Sequence, residues 1–92
     1  MSAYIIVGFT PKNADLLKEY SAKAAPTLSE YQGEFLVKAP AQPLNGKSHP
    51  EYQLIIAFPS KILAESWYFS PHYQKLIDLR DQGMEANFQL VA

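Results

Sequence analysis

The chain contains no cysteine among its 92 residues. Disulfides, iron–sulfur clusters, thiolate zinc sites and a cysteine nucleophile are therefore excluded. A chain without cysteine suits a reducing compartment, and we expect a cytoplasmic protein. No segment approaches the roughly 20 consecutive apolar residues that cross a bilayer, and the first residues lack the basic start of a signal peptide. We expect no membrane partner.

The chain also lacks a large excess of charge of either sign. Eight basic and nine acidic residues leave a formal net charge of −1, which gives no field that attracts polyanions, so we expect no nucleic-acid partner. The four glycines are isolated from one another, which excludes a GxGxxG turn and a phosphate-binding loop. The spacing of His49, His72 and Glu51 does not suggest a metal site, and we expect no metal and no cofactor.

Apolar and aromatic residues are abundant. Hydrophobic residues make up 48% of the chain and aromatic residues 13%, against 18% that are charged. This composition suffices for a buried core, and chains of this length do not divide into two domains. We therefore expect residues 1–92 to form one domain.

The first third of the chain has the pattern of a strand followed by a helix. The β-branched run of residues 4–9 predicts the strand. Either Thr10 or Asn13 can cap the helix, because both side chains accept backbone hydrogen bonds at a helix start. Pro26 lacks the amide proton that a helix interior needs, so we expect a kink or a break there. Gly33 predicts a left-handed stop.

The rest of the chain contains three further strand patterns and two helix starts. Strands are predicted at residues 34–38, 52–58 and 87–91. The first two are joined by a proline-rich arm, residues 39–50, in which Asn45-Gly46 is the strongest turn signal. Ser60 and Ser70 each predict a helix N-cap, and Gly83 predicts the end of the last helix.

The resulting order, βαββαβ, is that of a ferredoxin-like α+β fold. Such a fold has an antiparallel four-stranded sheet with its helices on one face, and the first and third strands are central. Those two strands are apolar on both faces here, as central strands require. The second and fourth strands include polar residues that suit sheet edges, namely Glu34, Lys38, Asn87 and Gln89.

Helices on one face leave apolar side chains uncovered on the other face of the central strands. Burying one large apolar side chain contributes about 1.5–3 kcal/mol, and monomers rarely expose apolar patches beyond about 300–600 Å². We therefore predict a homodimer in which the two sheets pack face to face about a two-fold axis. The alternative is a monomer whose open face is covered by the arm.

Several segments together resemble a known family. They are Tyr4-Ile5-Ile6-Val7, Ala24-Ala25-Pro26, Tyr31-Gln32-Gly33-Glu34-Phe35-Leu36-Val37, Phe58-Pro59-Ser60 with Ala64, and Trp67-Tyr68-Phe69-Ser70-Pro71-His72-Tyr73-Gln74-Lys75-Leu76-Ile77-Asp78-Leu79-Arg80. This combination resembles the domain-of-unknown-function family numbered 1330. The resemblance implies the dimeric alpha–beta barrel superfamily, which includes cofactor-free monooxygenases and isomerases, but it implies no established activity. The chain departs from the family pattern in the arm, at Pro40 and Pro43.

Arg80 is the first candidate for a ligand anchor. It shares one helical stripe with Tyr73, Leu76 and Ile77, which places a guanidinium in line with residues expected to face the sheet. A guanidinium in that position could bind a carboxylate or an enolate in a fork geometry. The alternative is an arginine stabilised by the helix C-terminus and paired with an acid.

Tyrosines and one histidine complete the candidate site. Tyr4, Tyr20, Tyr68 and Tyr73 could line a ligand cleft between helices and sheet, or each could be a core residue whose hydroxyl is satisfied. The candidates for proton transfer are Tyr68 and His72. His72 lies in the first turn of its helix, where an imidazole is often merely exposed.

Two hypotheses about function follow from these residues. In the first, a small homodimeric protein binds a small organic acid or aromatic compound in a tyrosine-lined cleft, with or without cofactor-free monooxygenase- or isomerase-like chemistry. In the second, the protein is a non-catalytic binding or assembly module with no dedicated small-molecule site. A cavity on which Arg80 and a tyrosine hydroxyl converge favours the first hypothesis. A filled interior with Arg80 paired outward favours the second.

Overall fold

The structure, a computed structural model, describes residues 2–47 and 49–92. Within them the strands are β1 (Ala3–Pro11), β2 (Glu34–Pro40), β3 (Tyr52–Phe58) and β4 (Met84–Val91). The α-helices are α1 (Ala14–Ala24), α2 (Lys61–Tyr68), α3 (Pro71–Gln74) and α4 (Ile77–Gly83). Short 3₁₀ turns at Ala25–Thr27 and Ser29–Tyr31 follow α1. In this part of the chain no helix has the length and apolar character needed to cross a membrane.

The strands form one antiparallel sheet in the order β2-β3-β1-β4. β1 and β3 are therefore the central strands, as the apolar pattern on both of their faces predicted. The element order and the strand order together confirm the ferredoxin-like α+β fold. β4 is longer than predicted, because it begins at Met84, directly after α4, rather than at Asn87.

The start of α1 differs in part from the prediction. Asn13 is the N-cap, and its side-chain oxygen accepts a hydrogen bond from the backbone N of Leu16 at 3.1 Å. Thr10 is not a cap, because β1 continues through it to Pro11. Its hydroxyl instead accepts a hydrogen bond from the backbone N of Glu51 at 3.1 Å.

α1 ends just before Pro26, as predicted, but the left-handed residue that comes after it is not Gly33. The α-helix ends at Ala24 and tightens into a 3₁₀ turn that contains Pro26, so the predicted break is confirmed. The left-handed residue is Gln32, with φ 61°, which corrects the prediction for Gly33. Gly33 is required for a different reason. A Cβ atom at this position would lie 2.7 Å from the ring of Phe58.

Serine caps start the next two helices as predicted. The hydroxyl of Ser60 accepts a hydrogen bond from the backbone N of Leu63 at 3.2 Å, and that of Ser70 accepts one from the backbone N of Tyr73 at 3.2 Å. The helical segment after Ser70 is interrupted at residues 75–76 and so forms α3 and α4 rather than one helix.

α1 and α4 pack closely, and a glycine makes this possible. α4 ends at Gly83, as predicted. A Cβ atom there would lie 2.8 Å from the backbone N of Leu17 in α1, so any larger residue would push the two helices apart. The backbone carbonyl of Gly83 also accepts hydrogen bonds from the backbone N of Lys12 and of Asn13. The turn before α1 is therefore fixed to the end of α4.

Alternation along the central strands separates a covered face from an open face. The covered face packs against the helices and carries the hydrophobic core, which includes Ala3, Ile5, Val7, Phe9, Ile56, Phe58, Trp67 and Tyr73. On the open face Tyr4 is 36% exposed, and Val37 and Val91 of the edge strands are 43% and 48% exposed. Ile6 and Ile55, paired across the two central strands, are only partly buried.

The described part of the arm reaches the end of the open face that carries Gly8. Ala39 and Pro40, which were predicted to belong to the arm, lie in β2. The other described residues of the arm, 41–47 and 49–50, form neither helix nor strand, and Gly46 has a left-handed φ of 93°. Pro50 lies over Gly8, where a Cβ atom would be 2.7 Å from the proline Cγ. The half of the face around Tyr4 and Ile6 keeps its exposed apolar surface.

Candidate functional site

Arg80 lies at the centre of a cluster of aromatic side chains. Its Nη1 donates hydrogen bonds to the hydroxyls of Tyr68 at 3.1 Å and of Tyr73 at 3.2 Å. Its guanidinium carbon is 4.7 Å from the centroid of the Phe88 ring, a cation–π distance. The side chain is only 12% exposed. The guanidinium is therefore directed between the helices and the sheet, where the helical stripe placed it.

A further hydroxyl extends this hydrogen-bond network to α1. The hydroxyl oxygens of Tyr73 and Tyr20 are 2.7 Å apart, and either can be the donor. Tyr73 is fully buried and Tyr20 is 7% exposed. We call Arg80, Tyr68, Tyr73 and Tyr20 the arginine–tyrosine cluster. It brings together four of the predicted site residues.

Arg80 also has a partner on its outer side. Its Nε donates to the Oδ1 of Asp81 at 3.0 Å, and the side chain of Asp81 is 60% exposed. Exposed ion pairs contribute little to stability, but this one partly neutralises the guanidinium. Arg80 thus combines the tyrosine contacts expected of a site with the outward pairing expected of a structural residue.

Ring packing fixes the orientation of the tyrosines. The ring centroid of Tyr73 lies 4.4 Å from that of Trp67 and 5.3 Å from that of Tyr68. Trp67 is held in turn by a hydrogen bond from its indole Nε1 to the hydroxyl of Thr27, at 2.9 Å. These contacts restrict ring rotation, so the hydroxyls meet at defined positions.

Burial controls the protonation states of the arginine–tyrosine cluster. Burial raises the pKa of Tyr20 well above its ordinary value of 10.0, and the neighbouring Tyr73 raises it further. Burial also raises the pKa of Tyr73, against hydrogen bonds with Tyr20 and Arg80 that lower it. Burial alone would lower the pKa of Arg80, but hydrogen bonds to the tyrosines outweigh it and raise that pKa. Arg80 is therefore a cation near two buried phenols, those of Tyr20 and Tyr73, that stay neutral.

A cavity of about 230 Å³ lies between α1 and the covered face of the sheet. Its wall is mainly apolar and includes Val7, Leu17, Leu54, Trp67, Met84 and Phe88. Tyr20 lies in this wall, whereas Arg80, Tyr68 and Tyr73 are not among the lining residues. The cavity therefore meets the arginine–tyrosine cluster through Tyr20.

Two predicted site residues, Tyr4 and His72, belong neither to this cavity nor to the arginine–tyrosine cluster. Tyr4 belongs to the open face, because its neighbours Ala3 and Ile5 point into the core and side chains alternate along a strand. The prediction that Tyr4 lines the cleft is therefore wrong. His72 is exposed at the start of α3, in a shallow outer groove with Lys23 and Lys75.

Tyr68 lines a different pocket. It accepts a hydrogen bond from Arg80 but lines a second pocket of about 220 Å³ with Phe69, Phe88 and Leu90. Phe88 lines both this pocket and the cavity, so its ring is part of the partition between them. No three histidine, aspartate or glutamate side chains among residues 2–47 and 49–92 form a group that could hold a metal ion.

Lys38 and Ser21 are cavity residues that the sequence pattern did not indicate. Strict alternation from Phe35 would place Lys38 on the opposite face of the sheet. A register shift between Phe35 and Val37 changes this, so that Lys38 pairs with Leu54 and shares its covered face. The sequence carries no clear signal for such a bulge.

Comparison with known proteins identifies the family and the fold. A model of the family described as "Domain of unknown function (DUF1330)" matches residues 2–92. No curated protein matches the chain significantly. A protein of unknown function from Rhodopseudomonas palustris has a similar structure, with a TM-score of 0.81 at 12% identity, covering 98% of this chain and 80% of that one.

Two other solved structures are also similar. SnoaB of Streptomyces nogalater, described as a cofactor-independent oxygenase, has a TM-score of 0.71 at 12% identity, covering 99% of this chain and 91% of SnoaB. A dimeric ferredoxin-like protein of unknown function from Jannaschia sp. CCS1 has a TM-score of 0.68 at 18% identity, covering 97% and 98% of the two chains. At such low identities the similarity concerns the fold.

The raised pKa values of Tyr20 and Tyr73 predict a loss of stability at high pH. In the unfolded chain both phenols ionise near pH 10, whereas in the folded protein they stay protonated. Their contribution is therefore fully present below about pH 10 and is lost as the pH rises further. Urea unfolding as a function of pH should show this decline. Tyr20→Phe should make it shallower by up to about 1.4 kcal/mol per pH unit.

The absorbance of ionised tyrosine provides the check on this prediction. The chain has six tyrosines, and we expect Tyr20 and Tyr73 to ionise only when the protein unfolds. Titration of all six near pH 10 in a protein that remains folded would contradict the burial argument.

Proposed function

The chain belongs to the family of domains of unknown function numbered 1330, and we propose that it binds a small aromatic compound in the cavity between α1 and the sheet. The observation that carries this proposal is the apolar cavity with Tyr20 in its wall. The hydroxyl of Tyr20 is the end of a series of hydrogen bonds that begins at Arg80. A completely filled core would have neither a cavity nor a series of hydrogen bonds that ends at a residue of its wall.

The volume of the cavity supports a ligand with a single ring. An apolar cavity of about 150 Å³ is sufficient to bind benzene. The larger volume here, about 230 Å³, leaves room for a short substituent. Aromatic and aliphatic side chains on the wall provide the dispersion contacts that such a ring gains on leaving water.

Tyr20 is the polar group that would orient the ligand. Arg80 has only donors, so the hydroxyl oxygen of Tyr73 accepts a hydrogen bond from it. If Tyr73 then donates its own proton to Tyr20, the proton of Tyr20 is available to an oxygen of the ligand. Because burial keeps Tyr20 neutral, it acts as a donor and not as a base. Arg80 is then a positioning residue that does not contact the ligand.

The same residues favour binding over oxygenation. SnoaB is described as a cofactor-independent oxygenase, and such chemistry requires a substrate activated by the protein, most simply through loss of a proton. The described wall of the cavity contains one lysine and neither a carboxylate nor an imidazole. Tyr20 stays protonated, and His72 lies outside. We therefore propose that the protein binds its ligand without oxidising it. Oxygen consumption by the protein in the presence of a bound ligand would contradict this.

Filling the cavity should abolish ligand binding. Ser21 is half-buried in the wall, so Ser21→Trp places an indole in the space that a ligand ring would occupy. We expect single-ring phenols to raise the melting temperature of the native protein and leave that of Ser21→Trp unchanged. The control is Lys18→Trp, an exposed position of the same helix outside the cavity wall. Equal ligand shifts in native protein and Ser21→Trp would contradict the proposed site, and no shift in any protein would favour the assembly module.

We also propose that the open face of the sheet forms a homodimer interface. Tyr4, Val37 and Val91 leave exposed apolar surface there, and the described part of the arm lies at the end near Gly8. A second copy of the same face provides a complementary apolar surface. The description of the Jannaschia protein as dimeric supports this assembly.

A lysine on the open face should dissociate this dimer. Ile55 pairs with Ile6 near the middle of that face, so Ile55→Lys would bury a charge against an apolar surface. We expect the native protein to sediment at twice the monomer mass and Ile55→Lys at the monomer mass. The matched control is Ile62→Lys on α2, where the isoleucine is already 75% exposed, and this variant should remain dimeric. An Ile55→Lys protein that is still dimeric would exclude the open face as the interface.

A further inference from the structure

Lys38 places a cation in the wall of an otherwise apolar cavity. The register shift in β2 turns its side chain to the covered face, where it lies against the ring of Phe9 with its Nζ 6.0 Å from the ring centroid. Phe9 and Lys38 are both lining residues, and Lys38 is the one charged residue in the described wall. Because Lys38 is itself exposed, its ammonium lies where the cavity meets solvent.

Lys38 differs from Lys23 and Lys61 in its ion pairing. Among residues 2–47 and 49–92, no carboxylate lies within ion-pair distance of its Nζ, whereas Lys23 and Lys61 each have a glutamate partner. Arg80 differs as well, because its Nε donates to Asp81, its Nη1 donates to two tyrosines, and it is not among the residues that line the cavity. Of the two cations near the cavity, Lys38 is therefore the one available to an anion from solution.

We propose that Lys38 binds the carboxylate of a single-ring aromatic acid whose ring occupies the cavity. The inference rests on the proposed function, since it names the class of ligand and the residue that selects it. Arg80, the anchor predicted from the sequence, is replaced in this role by Lys38. The ring lies among the apolar wall residues, and a chain of one to three carbons carries the carboxylate to the ammonium.

The position of the lysine suits an acid on physical grounds. A carboxylate placed inside the apolar part of the cavity would lose its hydration without an ionic partner, which is costly. At the solvent-exposed ammonium it keeps part of its hydration and gains a charge-assisted hydrogen bond. The apolar contacts of the ring and the ionic contact of the acid can therefore form together.

A matched pair of ligands separates the ionic contact from the contribution of the ring. The probes are 3-phenylpropionate and its neutral amide, which have the same ring and the same chain. Calorimetric titration of the native protein should give a dissociation constant about tenfold lower for the acid, as expected of one charge-assisted contact. In Lys38→Met, which keeps an apolar side chain against Phe9, the two probes should bind equally, and the affinity for the amide should be unchanged.

Two control variants test whether the charge must be at this position. Lys38→Arg keeps the cation and should keep most of the preference for the acid. Lys47→Met removes the same charge from an exposed position of the arm, outside the described cavity wall, and should keep the full preference. Added salt should weaken binding of the acid to the native protein and leave binding of the amide unaffected.

The outcomes distinguish this inference from the proposed function. If both probes bind the native protein with equal affinity, or if Lys38→Met retains the preference for the acid, the proposed role of Lys38 is overturned. The proposal that the cavity binds an aromatic compound is then unaffected. The same holds if Lys47→Met loses the preference as fully as Lys38→Met. If neither probe binds the native protein, both the cavity proposal and the role of Lys38 are contradicted.

Discussion

The contact of the Arg80 guanidinium with buried tyrosine hydroxyls is the interaction on which the candidate site depends. Through Nη1 it reaches Tyr68 of α2 and Tyr73 of α3, and through Tyr73 it reaches Tyr20 of α1. Arg80 itself belongs to α4 and its guanidinium packs on Phe88 of β4. One cation thus joins every α-helix in the described chain to the sheet. Its removal would leave buried hydroxyls without their donor, which is costly.

This network also explains why a cavity can persist beside it. Tyr20 is held toward Tyr73, and Gly83 lets α4 approach the backbone of α1. α1 is therefore fixed beside α4, and Leu17 and Tyr20, which take part in this contact, also line the space between α1 and the sheet. Burial keeps the phenols of Tyr20 and Tyr73 neutral, while the bulge in β2 turns Lys38 to the same space. The cavity wall thus combines apolar side chains, the neutral Tyr20 and the cation of Lys38.

Features set by local chemistry could be predicted from the sequence, whereas those set by tertiary contacts could not. Alternation identified the central strands, and the Ser60 and Ser70 hydroxyls identified two helix starts. The same alternation places Tyr4 on the open face, away from the cleft, because its neighbours Ala3 and Ile5 are buried in the core. Lys38 could not be predicted, because a bulge in an edge strand reverses which face its side chain joins.

The role of Arg80 as the centre of a connected network is tested most directly by a double-mutant cycle with Tyr20. The two side chains form no hydrogen bond with each other and communicate through Tyr73. The free energy of unfolding is measured by urea denaturation for Arg80→Met, Tyr20→Phe and the double variant. A connected network predicts a coupling energy of at least about 1 kcal/mol, whereas independent residues add within about 0.3–0.5 kcal/mol. Additivity within that range would contradict the account.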